Sequence, residues 1–62
     1  MPTIRVEMFE GRTPEQKKHL VRALTQAAVE SLGLKPTAVD VILYEVKKSD
    51  WATGGELWSE KS

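Results

Sequence analysis

Hydrophobic and polar residues alternate from Thr3 to Phe9. The apolar positions of this segment are Ile4, Val6 and Met8, and the positions between and beside them are Thr3, Arg5, Glu7 and Phe9. An alternation with a period of two is typical of a β-strand that buries one face. The sequence therefore predicts a strand over residues 3–9, and the glycine of the following Glu10-Gly11-Arg12 segment favours a tight bend.

The apolar residues then change to a helical period. They recur at Leu20, Leu24, Ala27 and Ala28. Thr13 can cap the amino end of a helix, Pro14 suits its first position and Gln16 completes a capping box. Gly33 suits the carboxyl end, because helices commonly finish at a residue in the left-handed conformation. These signals predict an amphipathic helix that begins at Pro14 and ends at about Leu32.

A second alternating segment extends from Val39 to Val46. One face consists of Val39, Val41 and Leu43, and the other consists of Asp40, Ile42 and Tyr44. A strand–helix–strand connection of this length is right-handed and places its two strands parallel. The expected fold class is therefore α+β, with a single domain over residues 1–62. Its β-α-β unit is expected to have a helix that covers the sheet face containing Ile4 and Val41.

Two tryptophans enclose a glycine pair near the end of the chain. A Gly-Gly pair such as Gly54-Gly55 favours the tight turn of a two-residue hairpin. A hairpin this short is not stable alone in water, so we expect it to dock on a neighbouring subunit. Trp51 and Trp58 are expected to act as its packing anchors, and residues 59–62 are expected to fray.

The composition excludes several classes of function. The chain has 62 residues, with nine basic and nine acidic residues, no cysteine, and His19 as its one histidine. Disulfides, zinc–thiolate sites and His-rich metal sites are therefore excluded, and the balanced charge argues against a nucleic-acid-binding module. His19 falls on the polar side of the helix, which indicates a surface position. No apolar run suits a membrane span or a secretory signal, so we expect a cytoplasmic protein.

The small size of the chain predicts self-association. A chain of 62 residues buries only about 60% of the surface that its unfolded form exposes, which is marginal for a monomer. The sheet face opposite the helix contains Phe9, Ile42 and Tyr44, and the sequence provides no second helix to cover it. An apolar face and unpaired strand edges both favour contact with other copies of the chain.

Pro2 is the first candidate for chemistry. If Met1 is removed, Pro2 has a free secondary amine at the start of the first strand. An α-amino group titrates at about 7.7–8.0, and burial or nearby cations can lower its pKa so that it serves as a general base. If Met1 is retained, the nitrogen of Pro2 is an amide and has no such role.

Several segments of the chain together resemble the 4-oxalocrotonate tautomerase family. Pro2 opens the first strand, Gly11-Arg12-Thr13 precedes Glu15-Gln16-Lys17, and Gly54-Gly55-Glu56-Leu57 follows the second strand. The resemblance extends over essentially the whole chain without gaps. It implies β-α-β units that pair into dimers, and three dimers that form a hexamer.

The resemblance also implies an activity. Members of the family ketonise 2-hydroxydienoates such as 2-hydroxymuconate, an intermediate of aromatic-ring degradation, without a cofactor or a metal. Their amino-terminal proline, which corresponds to Pro2, acts as a general base and then as a general acid. An arginine that binds the substrate carboxylate corresponds to Arg12, and an aromatic residue that lines the pocket corresponds to Trp51.

Asp40 departs from the pattern of that family. In members of the family, a second arginine at the corresponding position contacts a substrate oxygen and favours the neutral form of the proline amine. A carboxylate here is expected to repel a dicarboxylate substrate and to raise the pKa of the Pro2 amine. Arg5 belongs to the same predicted sheet face, and an ion pair with Asp40 would reduce both effects.

Two hypotheses about function follow from these residues. The first is an active tautomerase of altered specificity, which acts as a homohexamer on the enol form of a 2-oxo acid. The second is a weakly active or non-catalytic subunit of a mixed hexamer, in which a related chain supplies the missing arginine. The same scaffold with a protonated proline also resembles relatives that hydrate or decarboxylate their substrates.

Overall fold

A pair of parallel strands forms the centre of the computed structural model, which describes residues 2–61. Met1, on whose removal the chemistry of Pro2 depends, lies outside the described residues. The elements in chain order are β1 (Thr3–Phe9), α1 (Pro14–Leu32), β2 (Asp40–Val46), β3 (Ala52–Thr53) and β4 (Glu56–Leu57). The predicted β-α-β unit with parallel strands and a short carboxyl-terminal hairpin is thus confirmed.

The register of the sheet places Thr3 opposite Asp40 and Phe9 opposite Val46. Burial alternates along both strands, so the two predicted faces are confirmed. β2 begins one residue later than predicted, because Val39 ends a short 3-10 turn and donates its N–H to the carbonyl oxygen of Pro36 at 3.1 Å. Val39 is the one residue of the described chain that is buried.

Both predicted ends of α1 are confirmed. Gln16 donates its N–H to the hydroxyl oxygen of Thr13 at 3.1 Å, and Thr13 donates its N–H to the Gln16 side chain at 3.0 Å. Gly33 has a φ of 67° and donates its N–H to the carbonyl oxygen of Val29 at 3.0 Å. In the described part of the chain, α1 is not apolar enough to cross a membrane, and the other helical segments are too short.

The hairpin of β3 and β4 turns at Gly54 and Gly55, which have φ angles of 62° and 81°. Two consecutive positive φ angles are typical of the type I′ hairpin turn, which glycine adopts at low cost. The chain then continues into a 3-10 turn over Trp58–Glu60, and the Nζ of Lys61 lies 4.0 Å from the centre of the Trp58 ring. The expectation that this end frays is therefore wrong for residues 59–61.

One copy of the chain leaves apolar surface in contact with water. The described residues extend over 44 × 24 × 14 Å, a thickness that accommodates only the sheet and one helix. On the sheet face opposite α1, Ile42 is 39% exposed and Tyr44 is 44% exposed. The predicted uncovered face is therefore present at Ile42 and Tyr44, whereas Phe9 of the same face packs against Trp51 and Trp58 of its own chain.

Candidate active site

Pro2 lies at the amino end of β1, beside the start of β2. Its carbonyl oxygen accepts a hydrogen bond of 3.0 Å from the backbone N–H of Asp40. Pro2 is half-buried, whereas Asp40 is exposed on the sheet face that points away from α1. The structure thus brings these two predicted site residues together, because parallel pairing aligns the amino ends of the two strands.

Arg12 lies beyond the opposite end of β1, in a segment whose backbone is held on both sides. Glu10 donates its N–H to the carbonyl oxygen of Val46 at 3.1 Å, which continues the sheet pairing past the end of β1. Thr13 is fixed by the capping box of α1. Between them, Gly11 has a φ of 113°, a left-handed conformation that only glycine adopts readily. Arg12 therefore projects its exposed guanidinium from a backbone of fixed shape.

Arg12 also lines a groove between the first turns of α1 and the sheet. The groove has a volume of about 340 Å³. Its lining consists of Val6, Met8, Leu20, Arg12, Gln16 and Lys17. An ion pair joins Lys17 to Glu45 of β2, and this pair fixes the first turn of α1 to the sheet. An apolar floor beside a guanidinium suits an organic acid, whose carboxylate binds the cation while its carbon chain contacts the floor.

Trp51 belongs to an aromatic cluster at the carboxyl end of β1, consisting of Phe9, Trp51 and Trp58. The ring centres of Phe9 and Trp51 are 4.7 Å apart with their planes tilted by 55°, and those of Phe9 and Trp58 are 5.5 Å apart at 63°. The two tryptophans therefore pack against a residue of their own chain. Their role as packing anchors is thus present within one chain, with Phe9 as a partner that the sequence pattern does not reveal.

The length of β1 separates the predicted site residues into two groups. A parallel strand rises about 3.3 Å per residue, so Pro2 and Phe9 lie roughly 23 Å apart along the seven-residue strand. Pro2 and Asp40 are at one end of this strand, and Arg12 and Trp51 are at the other. A small enol acid cannot reach across that distance, so one copy of the chain does not assemble all four residues around one substrate.

Arg5 and Asp40, which could form an ion pair on the same sheet face, do not form one in the described residues. In residues 2–61 the one ion pair is that between Lys17 and Glu45, so Arg5 and Asp40 are not joined. Arg5 and His19 are both exposed, which agrees with the surface position predicted for His19. Across the same described range, no three His, Asp or Glu side chains cluster closely enough to hold a metal ion.

Two residues of the site region were missed by sequence reasoning in different ways. Gln16 was identified only as a capping residue, although it also lines the groove beside Arg12. Glu45 was not placed on either face, although its position two residues after Leu43 puts it on the side of α1. The alternation along β2 contained that signal, because residues of equal parity share one face of a strand.

Comparisons with known proteins give consistent results in sequence and in fold. A family model described as tautomerase enzyme matches residues 2–61. A 2-hydroxymuconate tautomerase of Bacillus subtilis strain 168 is 38% identical over 60 residues, which cover 97% of this chain and 97% of that protein.

Solved structures with the same fold are also similar over nearly their whole length. The crystal structure of a 4-oxalocrotonate tautomerase homologue has a TM-score of 0.91 and 48% identity, and the match covers 100% of this chain and 98% of that one. A heterohexamer 4-oxalocrotonate tautomerase from Chloroflexus aurantiacus J-10-fl has a TM-score of 0.91 and 38% identity, with 97% of each chain covered.

Proposed function

The chain belongs to the tautomerase family, and from that premise we propose that it is a cofactor-independent tautomerase acting on enol forms of 2-oxo acids. Its proposed substrates are 2-hydroxydienoates such as 2-hydroxymuconate. The observation that supports this proposal most directly is the position of Pro2. It is half-buried and directly precedes β1 at one end of the sheet, so that removal of Met1 would leave a reactive secondary amine there.

In the proposed mechanism, the neutral amine of Pro2 accepts the proton of the enol hydroxyl group. The O–H bond breaks, a C=O bond forms, and the electron pairs of the conjugated double bonds shift toward the distal carbon. The protonated amine then donates its proton to that carbon and forms a C–H bond. Substrate and product are isomers, so the step needs no oxidant, reductant or other reactant.

Arg12 is proposed to bind the substrate carboxylate. A guanidinium keeps its charge at any working pH and binds a carboxylate with two parallel hydrogen bonds. The groove beside Arg12 supports this role, because it offers apolar contacts to the carbon chain of the acid. The positive charge also favours electron density that moves toward the carboxylate end of the dienolate during the reaction.

We further propose that each site combines residues from different copies, in a hexamer built from dimers. Within the described chain β1 pairs only with β2, so its other edge is open for pairing. Two copies related by a two-fold axis can join these edges in antiparallel fashion. Pro2 of one copy would then lie near Arg12 and Trp51 of the other. One site could thus contain all of these residues, although they lie at opposite ends of β1 within a single copy.

The alternative is a mixed hexamer, and Asp40 is the residue that favours it. A carboxylate beside Pro2 stabilises the protonated amine and repels an anionic substrate, so a related chain with a cation at this position would complement it. The relative from Chloroflexus aurantiacus is a heterohexamer. Purification of the chain alone separates the two proposals, because an active homohexamer removes the need for a second chain.

The test of function combines intact-mass measurement with an assay of enol ketonisation. We expect a protein that lacks the mass of Met1 and converts 2-hydroxymuconate to its 2-oxo isomer, which is followed by ultraviolet absorbance. A processed protein with no ketonisation activity on any enol acid would contradict the proposal. A protein that retains Met1 and is active would contradict the role of Pro2.

The test of the shared site mixes two variants of low activity, Pro2→Ala and Arg12→Ala. If Pro2 and Arg12 of one site come from different copies, random mixing gives about one quarter of sites with both original residues. Activity should therefore reappear when the two variants are unfolded and refolded together. Refolding each variant separately is the control, and no recovery in a mixed oligomer of normal size would contradict the shared site.

A further inference from the structure

Phe9 packs against two indole rings at the carboxyl end of β1. The ring centres of Trp51 and Trp58 lie 4.7 Å and 5.5 Å from that of Phe9. The Nζ of Lys48 lies 5.7 Å from the centre of the Phe9 ring. Phe9 is the last residue of β1, so the sheet backbone fixes its position. The two indoles therefore pack against a ring whose backbone is held by the sheet.

Trp58 has several independent contacts that hold it in place. Its Nε1 donates a hydrogen bond of 3.0 Å to the hydroxyl oxygen of Thr53, and Lys61 lies over its ring. Its backbone N–H donates to the carbonyl oxygen of Trp51 at 2.8 Å. Trp58 is thus a fixed neighbour of Phe9, with ring centres 5.5 Å apart. The closest aromatic contact of Trp51, by contrast, is the one with Phe9.

We propose that Phe9 is a positioning residue, which fixes the orientation of the Trp51 indole and thereby determines which enol acids fit the pocket. The inference rests on the proposed function, because Trp51 contacts substrate only if it lines that pocket. Tilted aromatic pairs at these distances are favourable, and each restricts the ring rotation of its partner. An indole without the phenyl ring beside it would sample several rotamers.

A change in indole orientation should alter selectivity more than it alters the chemical step. Phe9 is separated from Pro2 by the length of β1 in its own chain and contacts no reacting atom in the proposed mechanism. A pocket wall that changes shape alters the relative kcat/KM of narrow and bulky substrates by about tenfold. The kcat for the narrow substrate should stay close to that of the original protein.

The experiment uses variants in which Trp51 is the one remaining tryptophan. Trp58→Phe keeps an aromatic ring beside Phe9, and Trp58→Leu removes that ring. In the Trp58→Phe background, Phe9→Tyr keeps the central ring and Phe9→Leu removes it. Acrylamide quenching of Trp51 fluorescence reports how well the indole is shielded, and kcat/KM is measured for 2-hydroxymuconate and for the bulkier phenylenolpyruvate.

Phe9→Leu should increase quenching of Trp51 and change the ratio of kcat/KM for the two acids by about tenfold. Phe9→Tyr should preserve both values. Trp58→Leu should change the quenching and the kcat/KM ratio in the same direction as Phe9→Leu but less strongly. If Phe9→Leu fails to fold, the comparison of Trp58→Leu with Trp58→Phe tests the inference in its place. Oligomer size and far-ultraviolet circular dichroism identify variants that have lost their structure.

The outcomes distinguish the inference from the proposed function. An unchanged substrate ratio in folded, active Phe9→Leu and Trp58→Leu variants would overturn the inference and leave the function intact. Increased quenching without a change in the ratio would overturn it as well, since the indole would then move without effect on substrate choice. An original protein that ketonises neither acid would overturn the proposed function, and with it the role of Phe9.

Discussion

At the amino end of β1, Pro2 and Asp40 are joined through a backbone hydrogen bond, whereas at the carboxyl end Phe9 is surrounded by side chains. The amino end provides the proposed reactive amine and an exposed carboxylate. The carboxyl end provides the guanidinium of Arg12, the apolar groove and the aromatic cluster. In the proposed function, the amino end of β1 would transfer the proton, and the carboxyl end would bind the substrate and select it by shape.

This difference shows why the chain is incomplete as a single copy. Proton transfer requires the reacting atoms to be within hydrogen-bond reach of the amine, but the two ends are roughly 23 Å apart at the usual rise of a strand. Association of copies is therefore proposed to serve two purposes. It covers the sheet face on which Ile42 and Tyr44 are exposed. It also brings the amino end of β1 in one copy close to the carboxyl end of β1 in another.

Removal of the secondary amine should have the largest effect on activity. Pro2→Ala should lower kcat/KM for 2-hydroxymuconate by about a hundredfold to ten-thousandfold, the usual contribution of a positioned general base. The measurement is steady-state ketonisation, with intact mass to confirm that Met1 is absent. Thr3→Ala is the matched control at the same end. A Pro2→Ala variant that stays within a few-fold of the original would contradict the assigned role.

Removal of the guanidinium should affect binding at the opposite end. Arg12→Gln should lower kcat/KM by about tenfold to a hundredfold, because a hydrogen bond to a charged group contributes about 1.5–3 kcal/mol. Most of the loss should appear in KM. Lys18→Gln removes an exposed cation of the first turns of α1 that lies outside the groove, and it should have little effect. Equal losses in the two variants would indicate general electrostatics instead of a specific contact.

Reversal of the charge at Asp40 should improve turnover of a dicarboxylate substrate at the amino end of β1. Asp40→Arg should raise kcat/KM for a dicarboxylate by about thirtyfold, since one pair of unit charges at 4 Å is worth about 1 kcal/mol in water, the reversal doubles this to about 2 kcal/mol, and about 1.4 kcal/mol is a factor of ten. Asp40→Asn should lower the pKa of the Pro2 amine, because a negative charge stabilises its protonated form. The neutral base would then persist to lower pH.

The pH dependence of kcat/KM checks the Asp40 prediction directly. The acidic limb of the profile should shift to lower pH in Asp40→Asn and further in Asp40→Arg, while Glu30→Gln on the outer side of α1 should leave it unchanged. If the limb stays in place and the dicarboxylate is turned over no faster, Asp40 does not act on the amine or on the substrate.

The smallest expected effect concerns the cap that holds the Arg12 segment. Thr13→Ala should lower the free energy of unfolding by about 1 kcal/mol, because it removes one half of the capping box. Urea denaturation at fixed protein concentration measures this change, since self-association makes stability depend on concentration. Thr37→Ala, at an exposed position of the turn before β2, is the control. No difference between the two variants would show that the cap contributes little.

The helices and strands and most of their ends could be predicted from the sequence. The alternation from Thr3 to Phe9, the capping residues around α1 and the glycine pair of the hairpin are local signals, and local signals define local structure. The fold class followed from them because a strand–helix–strand connection has a preferred hand. The start of β2 was off by one residue, since the 3-10 turn after Pro36 depends on a hydrogen bond that the pattern does not reveal.

Only the tertiary structure decided which residues meet. The sequence grouped Pro2, Arg12, Asp40 and Trp51 by resemblance, and the structure separated them, because the extended length of β1 keeps its ends apart. The contacts of Phe9 with two tryptophans more than forty residues away in sequence were likewise decided by packing. Such contacts depend on the path of the whole chain through space, and a periodic pattern along it does not specify that path.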